Sequence, residues 1–184
     1  MRLVKYASLV LGVVLTALPI GAAIKAMTLA EMMEITTDVA HVQIIEKSSF
    51  RLAHPFPEAV YTELAVKGTS LRTGKAVETT LVFLGSHDPD DQYGVSEMPT
   101  LQDTRVGSEV VVFFHRDTAF PGERNVLFNL GAVYRVEKTF GRPVVIGKGE
   151  GFAFPENVKI LDARTQVRAT HLALQAAQAD QAGK

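Results

Sequence analysis

Histidine and clustered carboxylates are the first residues in this sequence that suggest chemistry. His87, Asp88, Asp90, Asp91, Glu97 and Asp103 all fall in one irregular stretch, 86–107, which is longer than ordinary connections between elements. Oxygen and nitrogen donors at that density suit a divalent cation. His87, Asp88, Asp90 and Asp91 are therefore the candidate metal ligands; no cofactor is expected, with a divalent cation as the alternative. The segment DPDDQYGVSEMP departs from the twelve-residue calcium loop, which needs a central glycine and a terminal glutamate, so a solvated acidic loop is the preferred reading. His115 stands at the end of an apolar run beside Arg116 and Asp117, where Asp117 could orient it as a base; the simpler reading is a strand emerging into water. A metal-dependent or hydrolytic enzyme centred on 86–107 and completed by His115 is the alternative function that follows.

Other catalytic patterns are missing. The five histidines, at 41, 54, 87, 115 and 171, form no HxH or HExxH arrangement, and no serine occupies a GxSxG elbow. Glu63 and Glu78 sit among strand residues with nothing to set the separation a glycosidase requires. The chain has no cysteine, which removes thiol nucleophiles, thiolate metal sites and disulfides. GKGEG at 147–151 suggests a phosphate cradle, yet Phe152, Phe154 and Pro155 follow where a helix should start. A hairpin or bulged corner with glycines at positive φ is expected instead. With 19 basic against 20 acidic residues, nucleic acid lacks the basic footprint it would need.

Aromatic residues remain. Phe50, Phe56, Tyr93, Phe120, Phe152 and Phe154 lie in or beside expected loops, and gathered at one end of a barrel they would form a docking patch. Tyr93, His115, Phe120, Phe152 and Phe154 are the expected binding residues. No catalytic residue is assigned, so the principal expectation is a non-catalytic binding or accessory module, its partner an envelope or extracellular protein or a glycan.

The elements that must position these residues are mostly strands. Thr28 to Glu31 reads as a capping box opening a short helix that ends near Ile35, with Leu29, Met32 and Met33 on one face. From Asp38 the pattern alternates, Ala40, Val42 and Ile44 against His41, Gln43 and Lys47. A second strand alternates Val60, Thr62, Leu64 and Val66 with Tyr61, Glu63 and Lys67, and Gly68 closes it. AVETTLVFL (76–84) and EVVVFF (109–114) are core strands, the latter apolar on both faces and hence central. Further strands are expected at 125–136, 143–146 and 157–161, and an alanine- and glutamine-rich helix from Thr165, with Val167, His171 and Leu174 on one side. Strands in the middle with helices at the ends predict a mainly β, closed antiparallel barrel in preference to a sandwich.

The first residues carry a different message. Arg2 and Lys5 precede an apolar stretch, 7–21, and small residues at Gly21, Ala22, Ala23 and Ala26, the layout of a secretory signal. The stretch is shorter than a membrane-spanning helix requires. Cleavage before Ile24, or as late as after Ala26, predicts a secreted or periplasmic protein. It divides the chain into a signal (1–23), a barrel domain (24–164) and a C-terminal helix with a frayed tail (165–184). Loss of Arg2 and Lys5 leaves 17 of the 19 basic residues against 20 acidic ones, a mildly acidic, soluble monomer with no stable membrane span.

The order of segments TLAEMMEITTD, VAHVQIIEK, YTELAVKG, VGSEVVVFF and LGAVYRV resembles small secreted bacterial proteins whose OB-like barrel is similar to netrin-like and metalloproteinase-inhibitor domains. The resemblance covers about Thr28 to Arg164 and implies an OB-like barrel with a binding role. Inhibitors of that architecture act through an N-terminal cysteine, which this chain lacks, so that activity does not carry over.

Overall fold

The computed structural model describes residues 26–52, 59–90, 93–95, 98–118, 120, 124–127 and 130–182. Among the described residues strand accounts for 46% and helix for 23%, and five strands close into a barrel, as the alternating segments predict. In chain order the elements are α1 (Leu29–Ile35), β1 (Asp38–Leu52), β2 (Ala59–Ser70), β3 (Ala76–Leu84), β4 (Glu109–Asp117), β5 (Arg124–Leu127), a 3₁₀ turn (Leu130–Ala132), β6 (Val133–Thr139), β7 (Arg142–Val145), β8 (Val158–Lys159) and α2 (Ile160–Ala182).

The barrel runs β1–β2–β3–β5–β4 and back to β1. Every pairing in it is antiparallel except β3 with β5, where Leu81 and Val82 lie beside Asn125 and Val126 in parallel. This closure removes the exposed edges that an open sheet would leave. Its interior is filled by one face of each strand, including Val42, Ile44, Leu64, Val66, Leu81, Phe83, Val110 and Val112. Gly68 lets β1 and β2 approach closely, because a Cβ there would overlap the backbone of His41 and Val42.

A second core lies outside the barrel. EVVVFF sends Val110, Val112 and Phe114 into the barrel and Val111 and Phe113 outward, which is why that strand is apolar on both faces. The outward pair meets Met32 and Met33 of α1, Tyr134 and Val136 of β6, Phe154, and Ile160, Ala163 and Val167 of α2. Thr28 caps α1 as its sequence predicts. Its side chain accepts from the Glu31 amide, and the Glu31 carboxylate accepts from the Thr28 amide at 2.8 Å.

Two expected elements differ in detail. The segment read as one strand over 125–136 is β5 and β6 laid in succession along the edge of β4 opposite β1. Phe114 faces Leu127 while Val112 faces Val133, and the 3₁₀ turn Leu130–Ala132 stands between the two strands outside the ladder. The residues read as a strand over 157–161 pair only at Val158 and Lys159, and the helix starts at Ile160 rather than Thr165. Ile160, Ala163 and Val167 recur at helical spacing and face the second core, which outweighs the β-propensity of the run VKI.

Candidate functional site

The bulge in β1 creates the most distinctive surface. Ile44 pairs with Val66, but Glu46 pairs with Ala65, and this one-residue slip reverses which side chains face outward. Beyond it Glu46, Ser48 and Phe50 share the outer face with Ala65, Glu63 and Tyr61 of β2. The β2–β3 register adds Thr80, Val82 and Leu84. One face therefore carries two kinds of surface in sequence.

At one end it is aromatic. Phe50 stacks on Tyr61 at 5.7 Å between ring centroids, and Phe120 meets Tyr61 edge-on at 5.2 Å. Ala59, Tyr61 and Val82 are buried beneath, while Phe50 and Phe120 remain half-buried. Arg124 lies over the Phe50 ring at 5.1 Å and donates to the Glu63 carboxylate at 2.6 Å, a cation–π contact and an ion pair on one guanidinium. Burial and the neighbouring Tyr93 push the Tyr61 hydroxyl's pKa up.

Toward the other end the face becomes a trough. A depression of about 530 Å³ is lined by Ile45, Glu46, Lys67, Glu78 and Thr80 among others, and a second of about 270 Å³ by Glu46, Ser48, Glu63, Ala65 and Thr80. Shared Glu46, Ala65 and Thr80 make them one channel, and Arg124, lying over Phe50 and bonded to Glu63, stands between it and the aromatic end. The channel's charge is slightly acidic: Lys67 Nζ lies 3.3 Å from Glu78 and Arg124 pairs with Glu63, which leaves Glu46 as the carboxylate in excess. Carboxylates and hydroxyls beside aromatic rings can accept hydrogen bonds from, and stack against, an extended neutral or basic chain.

Sequence-predicted residues divide sharply here. Tyr93 and Phe120 do reach the neighbourhood of Tyr61. Phe154 does not: it is 1% exposed and packs against Phe113 and Tyr134 at 6.1 and 5.1 Å, a core residue rather than part of a docking patch. The amides of Lys148 and Gly149 donate to the carbonyls of Phe154 and Pro155, folding this glycine-rich corner inward, with Gly149 and Gly151 at positive φ as expected. Phe152 is half-buried in the same corner, away from the Phe50 cluster. His115 is half-buried on the outer face of β4, opposite Val126. Phe56 lies outside the described residues.

The acidic loop is held by its own contacts. His87 Nε2 donates to the Pro99 carbonyl at 2.8 Å, Asp88 accepts from the Asp90 amide at 3.0 Å, and Ser86 bridges to Tyr93. Asp103 is buried, accepts from Thr100 at 2.7 Å and lies 3.6 Å from Arg135. Among the described residues, no group of three or more histidine, aspartate or glutamate side chains converges as a metal site would require; Asp91 and Glu97 lie outside them. No helix among the described residues is long and apolar enough to cross a membrane.

Glu46, Ser48, Glu63, Thr80 and Arg124 were not expected as site residues. The alternation of Tyr61, Glu63 and Lys67 on β2 was the available signal for them. The fold and this face define a small OB-like barrel with an aromatic-ended acidic channel on its outer wall. Comparison with protein-family models, curated proteins and solved structures gives no match to this chain.

Proposed function

We propose that this protein is an exported, non-catalytic binding module that holds an extended envelope or extracellular ligand along the outer face of β1, β2 and β3. The observation that carries this reading is continuity: Phe50 shares the outer face of β1 with Ser48, and Arg124, which lies over the Phe50 ring, bonds to Glu63 in the wall of the depression lined by Ser48, Glu63 and Thr80. Small barrels of the OB type use this wall and its flanking loops to bind extended polymers, an analogy of fold that raises the expectation without naming a ligand. The acidic lining disfavours polyanions and suits a basic peptide segment or a neutral glycan chain. Export follows from the signal-like residues 1–23.

Titrating isotope-labelled protein with soluble peptidoglycan fragments and with a lysine-rich peptide tests it. The expected result is a contiguous set of shifted amides at Phe50, Tyr61, Glu63, Ala65 and Thr80 with one of the two. Binding of both probes elsewhere, for instance on the loop around His87, would overturn the reading.

A further inference from the structure

The hairpin between β6 and β7 ends on a residue that the backbone does not favour. Thr139 pairs with Arg142, leaving Phe140 and Gly141 as a two-residue turn with φ of 49° and 74°. Both being positive is the signature of the tight turn normally built from Asn-Gly. Among the described residues, Phe140 is the only non-glycine residue with positive φ. Its side chain is 99% exposed. A bulky aromatic in the left-handed region, fully in water, gives the fold neither packing nor a relaxed turn.

Cations outnumber carboxylates around it. Lys138 and Arg142 flank the turn and are exposed, and Lys159 of β8 lies across from Val144 on the adjoining strand. Two carboxylates share this end of the sheet: Glu137 is 3.6 Å from Arg135, and Glu109 pairs with His41 at 3.1 Å and with Lys138 at 3.8 Å, so Arg142 and Lys159 carry most of the positive charge offered at the tip. A projecting ring between long-stemmed cations has the chemistry of an interfacial anchor. The ring enters the boundary between headgroups and acyl chains while the cations meet lipid phosphates.

We infer that the Phe140 tip is a peripheral membrane anchor that inserts into an anionic lipid surface. The chain contains no tryptophan, so Phe140→Trp places a single indole at the tip, and the apolar segment 7–21 contributes no signal. Mixing this variant with phosphatidylglycerol vesicles is expected to shift the indole emission to the blue. Phosphatidylcholine vesicles should leave it unmoved, and high salt should reverse the shift. Adding Lys138→Gln and Arg142→Gln is expected to raise the lipid concentration at half-shift several-fold. Emission that stays at its water-exposed position with phosphatidylglycerol overturns the inference and leaves a protein pocket as the occupant to seek. A shift equal in both lipids, or indifferent to loss of the two cations, overturns the anionic specificity.

Discussion

Two aromatic triads sit on the walls of one barrel and behave differently. Phe113, Tyr134 and Phe154 are each nearly or wholly buried, sealed by α1, α2 and the glycine-rich corner. Phe50, Tyr61 and Phe120 make similar ring contacts, but no helix among the described residues packs against them. The chemistry of the rings is the same, so the difference lies in what covers them. The covered triad builds the fold, while the uncovered one, with Phe50 and Phe120 half-buried over a buried Tyr61, leaves apolar area on two rings beside hydrogen-bonding groups, which is the composition of a binding surface.

The largest separation between the triads should appear on truncation. Phe154→Ala is expected to lose about 3–5 kcal/mol of stability, measured by urea denaturation, without selectively altering ligand affinity in whatever fraction stays folded. Next in size is an alkaline effect confined to the covered triad. Burial pushes the Tyr134 hydroxyl's pKa from 10.0 up to about 12, opposed by hydrogen bonding to Phe154 and Ala153. Because the unfolded chain then releases this proton more readily, the contribution is intact below pH 10 and is lost as pH rises from 10 to 12. The loss should amount to about 2–3 kcal/mol. Denaturation curves at pH 9 and pH 11 should show about half of it, roughly 1.3 kcal/mol, and Tyr134→Phe should remove that component of the slope while leaving the Ala153 amide without its acceptor.

In the uncovered triad the order of effects reverses. Phe50→Ala should destabilise by only about 1–2 kcal/mol, since the ring is half-buried, yet weaken the proposed ligand about tenfold. Titration calorimetry checks this; unchanged affinity would reduce the triad to a satellite core. The smallest effect concerns an aromatic in neither triad. Phe140→Asn should raise stability by up to about 1 kcal/mol, because asparagine accepts positive φ readily, and a rise in the thermal midpoint is the measurement.

Much of the fold was legible from residue pattern because local physics decided it. The α1 capping box, the two-faced apolar run of β4 and the alternation of β2 depend on neighbours within a few positions. Less legible was the end of each element. The division into β5 and β6 arises from a shift in pairing against β4, and the early start of α2 arises from Ile160 and Ala163 finding the second core. The metal-ligand expectation at His87 and Asp88 came from composition alone, whereas the loop contacts turn His87 toward the Pro99 carbonyl.

The sequence by itself determined a mainly β chain with a helix at each end, a strand buried on both faces and an acidic loop, since periodicity and capping are carried by adjacent residues. Only the tertiary structure decided which aromatics remain at the surface. The slip between Ile44 and Glu46 turns Phe50 outward to meet Tyr61, and the corner after β7 folds Phe154 inward onto Tyr134. A bulge and a long-range docking leave no periodic trace, because each depends on strands and rings distant in sequence.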